Sequence, residues 1–147
     1  MFKEKIYPYL LVVSQMSCLL FILTSGPLLA IGYGGILIES TGVFIGLLAI
    51  YQMGIGNFNV TPMNKENGHL VNTGIYKFVR HPMYFAQLLA LLPLVMDYYS
   101  IARLAAILIL LLTLLLKINY EESHLVKHYK GYADYMKHSK KMIPFIY

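Results

Sequence analysis

Long apolar runs are the feature that most constrains the fold of this 147-residue chain. A helix needs about 20 apolar residues to cross a hydrocarbon core of about 30 Å. Runs of that length, or nearly so, cover residues 8–31, 41–56 and 101–117, and a shorter one covers 84–96. Because lipid offers the backbone no hydrogen-bond partners, such segments must be helical. We therefore predict an all-α, polytopic membrane bundle of about four transmembrane helices, with residues 1–147 forming a single membrane domain.

Basic residues collect in three places along the chain and predict its orientation. They lie before the first span, between spans two and three, and after span four: Lys3, Lys5, Lys65, Lys77, Arg80 and the lysines from Lys117 onward. Lys and Arg are retained on the cytoplasmic side. We therefore expect both termini, the loop 57–83 and the tail 118–147 to be cytoplasmic, and take a prokaryotic inner membrane as the working hypothesis.

The first apolar run is predicted to be a retained helix rather than a cleaved signal. It is longer than a signal core and carries no convincing small-residue cleavage site. Pro27 lies late in this run and has no amide to continue a helical ladder, so it should bend the helix or end it.

A polar and aromatic stretch, residues 74–84, lies between two apolar runs. Pro82 suits the first turn of a helix, because its missing amide costs nothing there, so the third span should start at Pro82. The amides of Met83, Tyr84 and Phe85 would then face the cytoplasmic interface and favour an anionic group. The alternative is that these residues only anchor the helix at the membrane boundary.

A second polar stretch begins where the fourth apolar run ends. If the helix continues, Glu121 lies one turn beyond Lys117 on the same face. The adjacent carboxylates of Glu121 and Glu122 would then be placed to hold a cation. The alternative is a solvated helix end with a Lys–Glu pair worth a few tenths of a kcal/mol.

The tail carries apolar and aromatic residues at helical spacing, with lysines between them. Leu125, Tyr129, Tyr132 and Met136 predict an amphipathic helix that lies on an anionic membrane surface or covers a cytoplasmic cavity. Gly131 would weaken that helix in the middle. The histidines of the chain do not pair with cysteine at zinc spacing, so no metal site is predicted.

Several short motifs follow one another in order from Asn57 to Pro144. They are Asn57-Phe58-Asn59, Leu70-Val71-Asn72-Thr73-Gly74-Ile75-Tyr76, Arg80-His81-Pro82-Met83-Tyr84, Glu121-Glu122 with Leu125, Tyr129 and Tyr135, and Ile143-Pro144. This ordered combination resembles the isoprenylcysteine carboxyl methyltransferase family, and the related phospholipid N-methyltransferases share much of it. The resemblance covers roughly the C-terminal two-thirds, and it is far more specific than any single motif.

The resemblance implies an integral membrane enzyme that binds S-adenosylmethionine, without a Rossmann fold, between the last two spans and the tail. The reaction it implies is methyl transfer to a lipophilic acceptor, a carboxylate, amine or thiol, at the cytoplasmic membrane face. Carried over by position, the cofactor contacts would be His69, Leu70, Val71, Tyr76, His81, Pro82, Met83, Tyr84 and one glutamate of the pair Glu121 and Glu122, with the choice between the two left open.

Lys117 stands where the isoprenylcysteine enzymes have an arginine near the substrate carboxylate, and Arg80 is the other candidate substrate-binding residue. A lysine cannot reproduce a bidentate guanidinium clamp. No catalytic residue is predicted, because an in-line displacement needs alignment and exclusion of water more than a strong base. In the tail, Lys130-Gly131 replaces the customary Gly-Glu, which implies a remodelled helix there.

Two other functions fit parts of the sequence. Membrane sterol reductases resemble this family in their C-terminal spans, but an NADPH 2′-phosphate calls for a larger basic cluster than Arg80 and Lys77 provide. A non-enzymatic scaffold, held to anionic lipid by its basic tail, is the other alternative. The expected partners are the bilayer and a lipid or lipophilic substrate, and no nucleic acid is expected.

Overall fold

The computed structural model describes residues 2–54, 57 and 69–147, with side chains from residue 6 onward. Within this part the chain forms five α-helices and one short 3-10 helix, and no strand. The helices are α1 (Phe2–Thr24), α2 (Gly32–Met53), the 3-10 helix (Gly74–Lys77), α3 (Pro82–Asp97), α4 (Ile101–His128) and α5 (Tyr132–His138). Lys65, Phe58 and Asn59, on which part of the predicted topology and one motif depend, lie outside the described residues.

The apolar helices confirm the predicted all-α membrane bundle. By length and composition α1, from Ile6, α2 and α4 can each cross a membrane. The shorter apolar helix α3 has 16 residues, and at 1.5 Å per residue it extends over about 24 Å. The start of α1 lies beside the end of α4, where the rings of Tyr7 and Tyr120 are 5.5 Å apart.

The bounds of the first two helices differ from the apolar runs. α1 begins at Phe2 rather than at residue 8, because a helix can extend beyond the hydrocarbon into the interface. It ends at Thr24 rather than at residue 31, because Pro27 has no amide and disfavours helical backbone at the residue before it. α2 begins at Gly32 rather than at residue 41, and it runs through Glu39, a charge that the apolar run excluded.

Two carboxylates close the turn between α1 and α2. Glu39 Oε2 accepts a hydrogen bond from the amide of Ala30 at 2.9 Å. Asp97, at the end of α3, accepts one from the amide of Ile31. These amides would otherwise be unsatisfied near the helix start, so the acidic side chains belong to the folded bundle rather than to solvated loops.

The helices pack closely where their facing residues are small. On α2, Gly42 and Gly46 lie against Ala86 and Ala90 of α3, and a Cβ on Gly42 would come within 2.5 Å of the amide nitrogen of Ala90. Such small residues one turn apart let two helix backbones approach each other in membranes. α1 packs against α4, and α3 contacts both of these helices.

At the end of the bundle near Asp97, Arg103 joins three helices. Its side chain is 2% exposed, and its guanidinium donates to the carbonyls of Ile22 and Leu94, both at 2.9 Å, and to Ser25 Oγ at 2.6 Å. The ends of α1 and α3 are thereby held against the start of α4. The charged side chain of Arg103 is thus buried, and its hydrogen bonds link the helices.

The prediction of one amphipathic helix through residues 125–136 is wrong. α4 continues from the membrane to His128, beyond the predicted boundary at residue 117, and α5 then starts separately at Tyr132. The backbone of Tyr129 is extended, with φ −109° and ψ 115°, and Gly131 is the N-cap of α5. Glycine disfavours a helix interior, and here it lies in the break between two helices.

After α5, the tail pairs with the loop that precedes α3. Val79 and Lys140 form a parallel bridge. The amide of Arg80 donates to the carbonyl of Lys140 at 2.8 Å, and the amide of Lys140 donates to the carbonyl of Phe78 at 2.9 Å. The amide of His81 donates to Lys141 O at 2.9 Å. Main-chain bonds therefore hold the tail beside the start of α3.

Candidate functional site

Six polar side chains from both sequence stretches meet at one end of the bundle. Three lie at or just before the start of α3 and three in the second half of α4: Arg80, His81, Tyr84, Lys117, Glu121 and Glu122. We call this set the polar cluster. Pro82 is the first residue of α3, as expected from the His-Pro step. Because α4 stays helical, its three residues project from one face within about one and a half turns.

Arg80 and Glu122 form a buried ion pair in the polar cluster. Arg80 Nε lies 2.7 Å from Glu122 Oε1, and the two side chains are 5% and 7% exposed. Arg80 Nη1 also donates to the carbonyls of Ser139 and Met136. Arg80, predicted to bind substrate, is therefore engaged by α4 and the tail. This geometry favours a positioning role for both residues of the pair.

His81 lies between the two carboxylates. Its Nδ1 is 3.4 Å from Glu121 Oε2, and its Nε2 is 3.4 Å from Glu122 Oε1. Burial lowers the pKa of His81, but its interactions with the neighbouring carboxylates of Glu121 and Glu122 outweigh this effect, so the pKa is raised. The Nε2 contact lacks hydrogen-bond geometry, and this buried nitrogen has no such partner in the described part of the chain.

Glu121 is the more accessible of the two carboxylates. Its side chain is 17% exposed, against 7% for Glu122. Glu121 Oε1 accepts a hydrogen bond from the Tyr84 hydroxyl at 2.5 Å. The rings of His81 and Tyr84 are stacked, with centroids 5.6 Å apart, and Lys117 Nζ lies 5.2 Å from the Tyr84 centroid. Tyr84 thus has a carboxylate, a cation and an aromatic ring around it.

The predicted open amides at the start of α3 are only partly present. Because His81 is the N-cap, its carbonyl accepts from the amides of Tyr84, at 3.2 Å, and Phe85, at 3.4 Å. The prediction of free amides is therefore wrong for these two residues. It stays a prediction for Met83.

Tyr76, a predicted cofactor contact, is packed inside the protein. It is 1% exposed, and its hydroxyl donates to the carbonyl of Ala49 at 3.2 Å. Its own carbonyl accepts from the Tyr135 hydroxyl. Burial and the nearby Tyr135 raise the pKa of Tyr76. Tyr76 therefore joins α2 to α5, and a contact with the cofactor would require these packed groups to move.

The upstream residues of the predicted site are held by Asn57 and Gln52. The Asn57 side chain accepts from the amide of His69 at 3.0 Å and donates to its carbonyl at 2.8 Å. Gln52 Oε1 accepts from the amide of Ile75 at 2.8 Å, next to Gly74, whose positive φ of 60° glycine adopts readily. Leu70 and Val71 are half-buried. Residues 58–68 of the predicted loop lie outside the described part of the chain.

A cavity of about 280 Å³ lies among the four long helices, with Tyr84 and Lys117 in its wall. It also contacts two glutamines that the sequence analysis missed. Gln15 Oε1 accepts from Lys117 Nζ at 2.7 Å, and Gln15 Nε2 donates to Gln87 Oε1 at 2.8 Å. The available signal was a glutamine inside the first apolar run, 8–31, and another inside the short run 84–96, since polar residues in membrane spans usually face the bundle interior and are often functional.

In the part of the chain that the structure describes, the carboxylates and the histidines do not form a metal centre. It contains no group of three or more His, Cys, Asp or Glu side chains placed to hold a metal ion. The arrangement offers instead two carboxylates, a buried histidine and stacked aromatic rings beside a cavity that reaches into the bundle.

Comparison with known proteins gives one family. A family model described as phospholipid methyltransferase matches residues 29–131, which is more than half of the chain. The matched part runs from the start of α2 to the end of α4 and contains the whole polar cluster. A search of curated proteins found no match to the chain.

Proposed function

Because the chain belongs to the phospholipid methyltransferase family, we propose that it transfers a methyl group from S-adenosylmethionine to a lipophilic acceptor at the cytoplasmic membrane face. The observation that carries this proposal is the position of Tyr84. Its hydroxyl bonds to Glu121 in the polar cluster, and the same residue lines the cavity among the helices. A polar site for the cofactor is thereby adjacent to an apolar site for the acceptor.

The chemistry of the polar cluster fits S-adenosylmethionine. The cofactor carries an ammonium, a carboxylate and an adenine, and when bound it supplies a methyl group from a positively charged sulfur. Glu121 offers a carboxylate for a cation, and His81 Nε2, which lies 3.4 Å from Glu122 Oε1 but makes no hydrogen bond within the described residues, offers a donor for an anion. The Met83 amide, at the positive end of the α3 dipole, favours the same anion. His69, Leu70, Val71 and Pro82 are the proposed remaining contacts.

We assign the two glutamates different roles in this proposal. Arg80 neutralises Glu122 at 2.7 Å, so Glu122 positions the loop and the tail. The more exposed Glu121 is paired with a tyrosine hydroxyl and with His81, and it therefore keeps carboxylate charge available for a ligand. The chain's contribution to the reaction is to align the reactants and to exclude water, and no side chain is assigned as a general base.

Calorimetry on purified protein in detergent tests this proposal. We expect S-adenosylmethionine and S-adenosylhomocysteine to bind, and NADPH not to bind. Glu121→Gln should abolish this binding at an unchanged melting temperature, whereas Glu122→Gln should lower the melting temperature, because it leaves Arg80 buried and unpaired. Glu39→Gln, a carboxylate at the other end of the bundle, is the matched control and should bind like the wild type.

Three outcomes would contradict the proposal. NADPH binding without S-adenosylmethionine binding would support the reductase alternative. A well-folded protein that binds neither nucleotide would support the non-enzymatic scaffold. If the Glu121→Gln variant binds with wild-type affinity, Glu121 does not contact the cofactor, and the different roles proposed for the two glutamates are wrong.

A further inference from the structure

One face of α4 is exposed along the membrane part of the helix and faces the lipid. Leu108, Leu112 and Leu116 follow one another at intervals of four residues, and they are 55%, 58% and 40% exposed. This spacing places side chains on the same face of a helix. Asn119, three residues further on, is exposed as well. Because an amide side chain is unfavourable in hydrocarbon, Asn119 marks the level at which this face leaves the apolar layer.

The tail returns to this level after it has paired with the loop before α3. Lys141 Nζ donates to Asn119 Oδ1 at 3.2 Å, and it lies 3.8 Å from Glu122 Oε2. The same ammonium is 5.4 Å from the centroid of the Tyr147 ring. A lysine beside a tyrosine is typical of a membrane boundary, where the cation stays in the polar layer. Residues 142–147 therefore lie next to the lipid-facing side of α4, at the membrane boundary.

Residues 142–147 form a closed turn, which we call the apolar turn. The amides of Met142 and Ile143 both donate to the carbonyl of Tyr147, at 2.7 and 2.8 Å. Met142 is 3% exposed, whereas Phe145 and Ile146 are 83% and 76% exposed. Met142 thus attaches the apolar turn to the protein, and the two most exposed side chains extend outward from it.

The backbone of Phe145 adopts an unusual conformation. Its φ of 65° is the only positive φ of a non-glycine residue in the part of the chain that the structure describes. Residues with a Cβ rarely adopt this region, and they keep it only where the surroundings compensate for its cost. Burial of the Phe145 ring in an apolar layer would provide that compensation, whereas exposure to water would not.

We propose that the apolar turn inserts Phe145 and Ile146 into the interfacial layer of the bilayer, and that this insertion holds the tail beside the start of α3. The surface fits lipid rather than a second protein, because the contact of Lys141 with Asn119 makes it continuous with the lipid-facing side of α4. The proposal is independent of the reaction that the protein catalyses.

The insertion affects the polar cluster through the segment directly before the apolar turn. The carbonyls of Lys140 and Lys141 accept from the amides of Arg80 and His81, at 2.8 and 2.9 Å. Because this segment is joined covalently to the apolar turn, fixing the turn in the interface restricts the motion of both acceptors. The pairing of the tail with the loop is therefore stabilised by lipid.

Tryptophan fluorescence in lipid nanodiscs tests the insertion. The chain contains no tryptophan, so Phe145→Trp introduces a single emitter. We expect emission at short wavelength, strong quenching by lipids that carry bromine on their acyl chains, and protection from acrylamide in the water. Leu112→Trp, on the lipid-facing side of α4, is the quenched reference. Val126→Trp is the matched control in water, because Val126 is 45% exposed and lies about 10 Å beyond Asn119 along α4.

Two results would overturn the insertion. One is a Phe145→Trp variant whose emission and quenching equal those of Val126→Trp, which would place the apolar turn in water. The other is protection from acrylamide without quenching by brominated lipid, which would show that a second copy of the chain covers the turn. Ile146→Trp provides the same measurement at the adjacent position if Phe145→Trp does not fold.

Hydrogen exchange in the same nanodiscs tests whether the insertion holds the tail. A double variant, Phe145→Ser with Ile146→Ser, removes both inserted side chains. We expect the amides of Arg80 and His81 to exchange at least about tenfold faster in it, since burying one such side chain is already worth about a factor of ten. Val126→Ser is the control and should exchange like the wild type. Unchanged exchange at both amides in the double variant would overturn the role of the apolar turn.

Discussion

Replacing Arg80 with methionine should be among the most damaging single changes in the described part of the chain. The guanidinium pairs with Glu122 at 2.7 Å and donates to two carbonyls of the tail. Removing one partner of a buried ion pair costs about 3–5 kcal/mol, because the other charge stays buried and unpaired. The lost bonds to Ser139 and Met136 remove a further side-chain contribution of about 1 kcal/mol each.

The double variant Arg80→Met with Glu122→Met tests where this cost comes from. It leaves no unpaired charge, and replacing a buried ion pair with apolar residues often leaves the stability unchanged or raises it. We therefore expect the double variant to be more stable than Arg80→Met alone. Stability can be followed on heating through the reaction of a fluorogenic maleimide with Cys18, the single cysteine, which is buried in α1.

An exposed ion pair of equal length provides the matched control. Lys137 Nζ and Asp134 Oδ1 in α5 are also 2.7 Å apart, but their side chains are 68% and 79% exposed. Exposed pairs contribute little to stability, so Lys137→Met should melt like the wild type. If Arg80→Met and Lys137→Met melt at the same temperature, or if the double variant is no more stable than Arg80→Met alone, the reasoning is refuted.

Two further predictions concern pH and helix packing. The folded-state pKa of His81 is raised above its ordinary value of 6.5, so its stabilising contribution is complete below that pH and is lost as pH rises through the raised value. The melting temperature of the wild type should therefore fall as the pH rises through this window. If the melting temperature of a His81→Gln variant falls with pH at the same rate, the prediction is wrong. Gly42→Ala, whose Cβ would meet the backbone of Ala90, should cost about 1–3 kcal/mol by thermal unfolding. Gly34→Ala should not lower stability, because a Cβ at Gly34 would lie in open space. Equal melting temperatures of the Gly42→Ala and Gly34→Ala variants would refute the close helix contact.

Local rules explain the features that were predictable from the sequence. Pro82 marks the start of α3 because proline fits the first turn of a helix, whatever the rest of the chain does. Pro27 ends α1 for an equally local reason, its missing amide. The apolar runs predict membrane helices because lipid leaves the backbone no other partner.

Features that depend on distant partners were not predictable in the same way. The predicted second span, residues 41–56, excludes Glu39, because nothing local shows that the amide of Ala30 needs its carboxylate. Gln15 and Lys117 are 102 residues apart and meet only when α1 packs on α4. The different surroundings of Glu121 and Glu122 could not be predicted from the sequence, because the difference lies in which carboxylate Arg80 reaches.

The pairing of the tail with the loop before α3 also sets an order for assembly. Proteins are synthesised from the amino end, so residues 139–141 leave the ribosome after α1 to α4 have been made. Arg80 and His81 obtain their main-chain partners Lys140 and Lys141 only at that point. A nascent chain already inserted in the membrane therefore has all six side chains of the polar cluster, but the amides of Arg80 and His81 find their main-chain partners only when the tail arrives.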